Sequence, residues 1–235
     1  MSSGRTALNQ KVIREPLTRE RVLATAMTVA DTDGLAAVTM RRVASELDVE
    51  AMSLYHHVPS KEDLLDGLAD VLILEITEAV HRATPETDWR LALRNRCLVA
   101  REVILQHRWA PALIGSRTQV PASLMAYFEE VLATMIAGGL SYHLAHQGLH
   151  ALGSMVLGFT QELFAIPEGE TDPGEDVEAE LEAMAASFPH LTAMVASEVH
   201  DHDEDPLGWC DTQVEFMFTL DLILDGLARH HERAP

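Results

Sequence analysis

The 235-residue sequence predicts an all-α fold in which three short helices near the N-terminus precede a larger helical region. Three observations support this prediction. Apolar residues recur every three to four positions along most of the chain, which is the period of an α-helix. Residues that favour helix N-caps, namely Thr18, Thr39 and Ser60, stand directly before several of these segments. No window alternates apolar and polar residues as a half-buried strand would.

The N-terminal elements follow from local signals. A polar tail over residues 1–16 precedes the first helix, which Gly34 ends. A break at Asp48 separates the second helix from the third, and Asp63 follows Ser60 by three residues, as in a capping box. The first four helices are therefore predicted from Thr18 to Gly34, from Thr39 to the break at Asp48, from about Glu50 to His57, and from Ser60 to about residue 83.

The rest of the chain keeps the helical period, interrupted by stretches rich in proline and acidic residues at 167–176 and 200–206. Further helices are predicted at 88–107, 110–117, 121–138, 142–165, 176–187, 190–199 and 209–231. We divide the chain into the tail over 1–16, a small three-helix domain over 17–63 and a larger helical domain over 64–235.

The composition is that of an ordinary globular protein, with 47% hydrophobic and 23% charged residues. The two cysteines, Cys97 and Cys210, lie far apart and in no metal-like spacing, which argues against a disulfide scaffold and favours a reducing compartment. No apolar run approaches the roughly 18 residues that span a bilayer, and the N-terminus lacks the apolar core of a signal peptide. We therefore expect a cytoplasmic protein with no membrane partner.

Charge is distributed unevenly along the chain, whose net charge is −20. Residues 1–61 hold eight Lys or Arg and seven Asp or Glu, a net charge of +1, whereas the other 174 residues have a net charge of −21. Phosphate repels an acidic protein, so nucleic-acid binding requires cationic groups concentrated in one region. If the chain binds DNA, the N-terminal domain should contact the duplex and the acidic domain should face away.

The three short helices, with a tight turn before the third, fit a helix-turn-helix. In that motif the last helix enters the major groove of DNA while the preceding helix crosses the backbone. Ala44 is small where two helices must cross closely, and Leu47, Val49 and Leu54 can form the apolar plug between them. This arrangement leaves an outer face on the third helix, formed by Ala51, Met52, Ser53, Tyr55 and His56.

The stretch "GLAAVTMRRVASELDVEAMSLYHHVPSKEDLLDGLA", residues 34–69, resembles the DNA-binding motif of the tetracycline-repressor (TetR) family of bacterial transcriptional regulators. Asp48 stands where the family commonly has glycine at the turn, and aspartate tolerates a left-handed backbone better than most residues. The resemblance implies that Tyr55, His57 and Lys61 contact phosphates, with Thr39 at a helix N-terminus beside the DNA backbone.

Arg41 can reach a guanine edge through bidentate hydrogen bonds. Ala51, Met52 and Ser53 should read bases. Arg42 either contacts a phosphate or pairs with Glu46 four residues later. His56 and His57 could instead be ordinary exposed polar residues. The candidate DNA-binding residues are Thr39, Arg41, Arg42, Ala51, Met52, Ser53, Tyr55, His56, His57 and Lys61.

Two helices of the larger domain predict a subunit interface. The helix over 142–165 contains three glycines, each costing about 1 kcal/mol relative to alanine in a helix interior, which indicates close approach to another helix. The helix over 209–231 is apolar almost all round and must be covered on several sides. Together they suggest a four-helix interface of a homodimer, for which Gly153, Gly158, Phe218 and Ile223 are candidates.

The stretches "DWRLALRNRCLVAREVILQHRWAPALIGSR" and "HQGLHALGSMVLGFTQEL" are similar, more weakly, to the ligand-binding domain of the tetracycline-repressor subgroup. There two histidines help hold a magnesium–tetracycline complex. Here the matching positions fall near Thr77 and near Leu113 or Ile114, with no histidine, so we expect a different, more apolar inducer bound without metal. Candidate lining residues are Trp109, Arg117, Met125, Phe128, Gln147 and His150, although most of them could be plain core.

The sequence therefore predicts a homodimeric repressor that binds a palindromic, double-stranded DNA operator and is released by a small-molecule inducer. We expect no cofactor, no metal and no enzymatic activity, since the chain has no GxSxG, HExxH or glycine-rich phosphate loop. One alternative is an all-α metal-dependent enzyme using His143, His146 and His150, and the run "HDHDED" at 200–205 could also attract metal. Another is a DNA-binding activator or architectural protein that needs no inducer.

Overall fold

The structure is a computed structural model, and it describes residues 15–159, 185–198 and 212–233. Over these ranges it consists of helices and connecting turns, without a strand, which confirms the all-α prediction. The α-helices are α1 Arg19–Asp33, α2 Met40–Glu46, α3 Ala51–Leu54, α4 Lys61–Arg82, α5 Trp89–Gln106, α6 Ala110–Ser116, α7 Ala122–Ala137, α8 Tyr142–Gly158, α9 Pro189–Glu198 and α10 Thr212–Glu232. No helix in this part of the chain is long and apolar enough to cross a membrane.

The predicted N-caps are confirmed. Each cap side chain accepts a hydrogen bond from a backbone N–H in the first helical turn, where no carbonyl of the helix is available. The three bonds are Arg21 N to Thr18 at 3.2 Å, Arg42 N to Thr39 at 3.1 Å and Asp63 N to Ser60 at 3.1 Å. These bonds explain why the starts of α1, α2 and α4 could be predicted from sequence.

The third helix is shorter than predicted, since α3 ends at Leu54 rather than at His57. The backbone N–H groups of His57 and Val58 both donate to the carbonyl of Leu54, which closes a turn in place of further helix. Pro59 disfavours helical backbone at the preceding residue, so the turn leads directly into the cap of α4. The predicted segments over 1–14, 160–165, 176–184, 199 and 209–211 lie outside the described residues.

The N-terminal helices pack around a small core, to which α1, α2 and α3 contribute the fully buried side chains Val22, Val43 and Leu54. The 22-residue α4 completes this core with Leu64 and Leu68. At 1.5 Å per residue α4 is about 33 Å long, and it continues into the larger domain, where it packs against α5, α6 and α7. The boundary between 63 and 64 thus falls in the first turn of a helix that serves both cores, and it stays a prediction.

In the larger domain α8 packs against α7 and α10, and α5 packs against α4, α7, α8 and α10. A Cβ added at Gly148 would lie 3.1 Å from side-chain atoms of both Met135 and Leu227, so this glycine permits a close approach within one subunit. The buried Arg101 joins α5 to α10 through a 3.0 Å hydrogen bond from Nε to Gln213.

Candidate DNA-binding surface and ligand cavity

The turn between α2 and α3 depends on Asp48, whose backbone has φ 53°, in the left-handed region. The N–H of Val49 donates to the carbonyl of Ala44 at 3.0 Å, which closes the end of α2 and directs the chain into α3. An aspartate can adopt this conformation at modest cost, so the turn forms without glycine. The departure from the family pattern at this position therefore leaves the turn intact.

The outer face of α3 is presented to solvent. Leu54 is fully buried, while Leu47 and Val49 are half-buried and pack against the core, which confirms the predicted apolar plug. The residues predicted to face outward do so to different degrees: Met52 is 73% exposed, Tyr55 and His56 are exposed, and Ala51 and Ser53 are half-buried.

The cationic candidates differ in their environment. Arg41 and Lys61 are exposed, and His57 is half-buried in the turn after α3. Arg42 pairs with Glu46 at 2.8 Å and with Asp33 at 2.8 Å, so it takes the ion-pair alternative. Thr39 is half-buried, and its side chain caps α2.

The larger domain contains an apolar cavity of about 140 Å³. It lies between α4, α5, α7 and α8, and a residue of α6, Ile114, also lines it. The aliphatic and aromatic lining includes Ile73 and Ile76 from α4, Leu93 and Ile104 from α5, Phe128 and Val131 from α7, and Leu152 and Val156 from α8.

Three polar side chains line the cavity, namely Arg96, Cys97 and Tyr127. Burial raises the pKa of the Cys97 thiol to about 12, and it likewise raises the pKa of the Tyr127 phenol to about 12, against the opposing effect of Arg96. Both groups are therefore neutral near pH 7. The formal charge on the wall belongs to Arg96.

The charge of Arg96 is balanced by a carboxylate. Its Nη2 lies 3.0 Å from Glu130, and its guanidinium carbon lies 5.0 Å from the centre of the Tyr127 ring. His81 also contacts Glu130 at 3.0 Å. Partial burial acts to raise the pKa of Glu130, but the hydrogen bonds to His81 and Arg96 outweigh it and hold that pKa below its usual value.

Of the six ligand-binding candidates, Phe128 lines this cavity and the other five lie elsewhere. Met125, Gln147 and His150 are exposed on α7 and α8. The Nε1 of Trp109 donates to Asp31 at 2.6 Å. Arg117 pairs with Glu62 and Asp66 at the start of α4, at 2.9 and 3.1 Å.

Sequence reasoning missed most of the cavity wall, although a signal was present. Leu93, Cys97, Ala100 and Ile104 follow one another at intervals of three or four and share one face of α5. The other faces of this helix carry many charged residues, which made the apolar face less conspicuous in the sequence. Which element covers the face depends on packing between helices distant in sequence.

A buried histidine joins the two domains. Nδ1 of His107 lies 2.7 Å from Asp31 on α1, and Nε2 lies 3.3 Å from Glu75 on α4 but without the geometry of a hydrogen bond. Trp109 shares Asp31, and its ring centre lies 5.5 Å from that of His107. The turn between α5 and α6 is thereby attached to α1 and α4.

An apolar face lies open on α10, and Tyr142 is exposed at the start of α8. Tyr142 is 76% exposed and Phe218 is 64% exposed, and Leu222 follows Phe218 by one helical turn. Of the four interface candidates, Gly153, Gly158 and Phe218 are exposed, whereas Ile223 is half-buried and packs against the core. Gly153 also borders the cavity from the α8 side.

The three histidines of the metal-enzyme alternative lie on α8, where the rings of His146 and His150 have centres 4.7 Å apart. In the described part of the chain, no three His, Cys, Asp or Glu side chains are grouped so that they could hold a metal ion. The run at 200–205 lies outside it.

Comparison with known proteins identifies both domains. The family model described as "Bacterial regulatory proteins, tetR family" matches residues 22–68, and the one described as "Tetracyclin repressor-like, C-terminal domain" matches residues 83–230. The families matched are those of transcriptional regulators and not of enzymes.

Two curated relatives and one solved structure illustrate the match. An HTH-type transcriptional regulator of Saccharopolyspora erythraea is 32% identical over 123 residues, which span 52% of this chain and 51% of that protein. The HTH-type transcriptional repressor DrrR1 of Streptomyces coeruleorubidus is 30% identical over 93% of this chain and 82% of its own length. The structure of the Streptomyces coelicolor TetR family protein ActR in complex with (S)-DNPA superposes with a TM-score of 0.69 at 27% identity, covering 92% of this chain and 99% of that one. The chain therefore belongs to the TetR family of bacterial transcriptional regulators.

Proposed function

We propose that this protein is a repressor that binds a palindromic operator as a homodimer and releases it when a small apolar molecule enters the larger domain. The observation that carries the proposal is the continuity of α4. One helix holds Leu64 and Leu68 in the core of the DNA-binding domain and Ile73 and Ile76 in the cavity wall. A repressor, DrrR1, and a ligand-bound relative, ActR, are similar over most of their length, which supports both parts of the proposal.

On the DNA side, α3 would enter the major groove with Met52 and Ser53 toward the base edges. Met52 offers an apolar side chain for a thymine methyl group, and Arg41 can donate two hydrogen bonds to guanine. Tyr55, His57 and Lys61 would contact phosphates on either side. Phosphate contacts position the protein without reading sequence, so base preference would rest on α3 and Arg41.

The homodimer would form through the exposed faces of α8 and α10. α10 carries large apolar side chains in solvent, including Phe218 and Leu222, while α8 adds Tyr142 and small residues, and a two-fold axis would bury both copies at once. Two DNA-binding domains held in this way would meet successive major grooves about 34 Å apart, as a palindromic operator requires.

Release of the operator by a ligand would follow from the small size of the cavity, because a larger ligand must displace the helices around it. Ligand pockets usually have volumes of about 300–1,000 Å³, whereas this cavity has about 140 Å³. A ligand larger than a single ring would therefore separate the surrounding helices, and α4 is one of them. Because α4 also holds the DNA-binding domain, its displacement would change the distance between the two α3 helices. Couplings of this kind are typically about 1–3 kcal/mol.

The test is binding of the purified protein to DNA from upstream of its own gene, measured by fluorescence anisotropy at moderate salt. We expect a much higher affinity than for random duplexes of equal length, and a weaker affinity once an inducer is added. Equal binding to both duplexes would refute operator recognition. Specific binding that no compound in a broad panel weakens would instead favour a regulator that needs no inducer.

A further inference from the structure

The cavity wall contains a hydrogen-bond donor that has no acceptor. Arg96 lines the cavity, and its side chain is only 11% exposed. Nη2 of Arg96 bonds to Glu130 at 3.0 Å. Nη1 is buried from water and makes no hydrogen bond of standard geometry with the described residues, although the Tyr127 hydroxyl lies close enough to Arg96 that their contact acts to lower the pKa of that phenol. A buried donor without an acceptor is costly, and a donor on a charged group especially so.

We propose that Arg96 selects the ligand of this cavity, and that the ligand is an uncharged, mainly apolar molecule with a carbonyl or hydroxyl oxygen that accepts a hydrogen bond from Nη1. The inference rests on the proposed function only in so far as this ligand is the inducer. The oxygen supplies the acceptor that Nη1 lacks, while the aliphatic wall from α4, α5 and α8 covers the rest of the molecule. Nη1 itself has almost no accessible surface, so binding would require a rotation about the terminal bonds of the Arg96 side chain that turns Nη1 toward the ligand.

The surrounding charges decide against an ionised ligand. Glu130 already balances the charge of Arg96, so a carboxylate or phosphate would place a second negative charge close to Glu130 in apolar surroundings. An ammonium group would instead face the guanidinium of Arg96. The phenol of Tyr127 and the thiol of Cys97 are neutral, so neither supplies an opposite charge to an ionised ligand. An uncharged oxygen gains the hydrogen bond without these costs.

Four one-ring probes test this selection in the full-length protein: acetophenone, ethylbenzene, benzoate and benzylammonium. An apolar cavity of about 150 Å³ holds benzene, so a single ring suits this one. Dissociation constants come from titrations followed by NMR of isotope-labelled isoleucine methyl groups, with Ile73 and Ile76 reporting on the cavity itself. We expect acetophenone to bind about ten-fold more tightly than ethylbenzene, and both ions to bind more weakly than acetophenone.

The substitution Arg96→Met removes the donor and keeps an unbranched side chain of similar length. It should reduce the preference for acetophenone over ethylbenzene to about one. Arg94→Met is the matched control on the same helix, because Arg94 pairs with Asp221 and does not line the cavity. This control should keep the preference of the unmodified protein.

Equal binding of acetophenone and ethylbenzene by the unmodified protein would overturn the proposal, and this comparison needs no variant to fold. A preference for benzoate or benzylammonium, or a preference for acetophenone that survives Arg96→Met, would overturn it as well. None of these measurements involves DNA. A protein that selects acetophenone through Arg96 but never responds to a ligand on its operator would refute the proposed induction and leave this inference standing.

Discussion

At the scale of single residues, side-chain caps and ion pairs fix the helices of the DNA-binding domain. The side-chain caps at Thr18, Thr39 and Ser60 involve partners three residues away, and each formed as the sequence indicates. For Arg42, the ion pair with Glu46 could be read from the i, i+4 spacing. Its second partner, Asp33, lies at the end of α1 and is brought there by the packing of α1 against α2.

The first prediction distinguishes base contacts from phosphate contacts. Arg41→Ala should weaken operator binding by about 1–3 kcal/mol and should relax the preference at one base pair, because a bidentate contact with guanine is lost. Lys61→Ala should weaken binding to all sequences similarly, and it should reduce the slope of log affinity against log salt concentration by about one. Both affinities can be measured by anisotropy over a series of salt concentrations.

Arg82→Ala is the control for charge, since Arg82 is exposed at the far end of α4 and should not contact the operator. If Arg41→Ala weakened binding to every duplex equally, Arg41 would be a phosphate contact instead.

At the scale of elements, helix bounds were largely predictable, whereas the faces that helices turn to one another were not. The apolar period placed α4, α5 and α7 within a few residues of their actual bounds, and it placed the start of α8 correctly, whereas α8 ends at Gly158 and not at residue 165. The same period could not say that Trp89, at the start of α5, would lie against the end of α7. A Cβ added at Gly138 would lie 2.5 Å from atoms of the Trp89 ring.

The second prediction concerns this contact. Gly138→Ala should lower the free energy of unfolding by about 1–3 kcal/mol, because the rigid indole ring and the backbone of α5 must shift. Gly115→Ala is the matched control, since nothing lies within 4 Å of its added Cβ, and it should be neutral or stabilising by up to about 1 kcal/mol. Urea denaturation measures both. Equal effects of the two substitutions would show that the Trp89 contact imposes no constraint.

At the scale of the whole molecule, two features depend on the relative placement of distant elements. One is the junction at His107, where α1, α4 and the turn after α5 meet. The other is the open apolar face of α10, which the sequence indicated by composition but could not assign residue by residue. Ile223 packs against the subunit's own core, whereas Leu222 beside it is exposed.

The third prediction is that His107→Leu weakens the attachment between the domains. It removes one of the two hydrogen-bond partners of Asp31 and the group that lies 3.3 Å from Glu75, which should lower the free energy of unfolding by about 1–3 kcal/mol. Hydrogen exchange should rise more in α1 than in α8. Glu102→Leu, at an exposed position on α5, should change stability by less than about 0.5 kcal/mol. An unchanged exchange rate in α1 would show that the junction does not hold the domains together.

The fourth prediction concerns the dimer. Phe218→Glu should shift the protein toward monomer and leave its helix content unchanged, because Phe218 is exposed within one subunit and the charge would be buried only in the dimer. Leu74→Glu provides the control, as Leu74 is exposed on α4. Sedimentation equilibrium measures both association constants. A variant that remains as dimeric as the control would place the subunit interface elsewhere.

By itself the sequence determined the helical class, the caps, the helix-turn-helix with its Asp48 turn, and the separation of charge between the two domains. These properties depend on neighbours within about one helical turn, or on composition, and both can be read along the chain. The tertiary structure alone decided that Phe128 lines the cavity while Met125 and Gln147 do not, and that Arg96 lies in its wall with an unpaired nitrogen. Cavity walls are set by how four helices rotate and pack around one another, and a rotation of a fraction of a turn exchanges inward for outward residues.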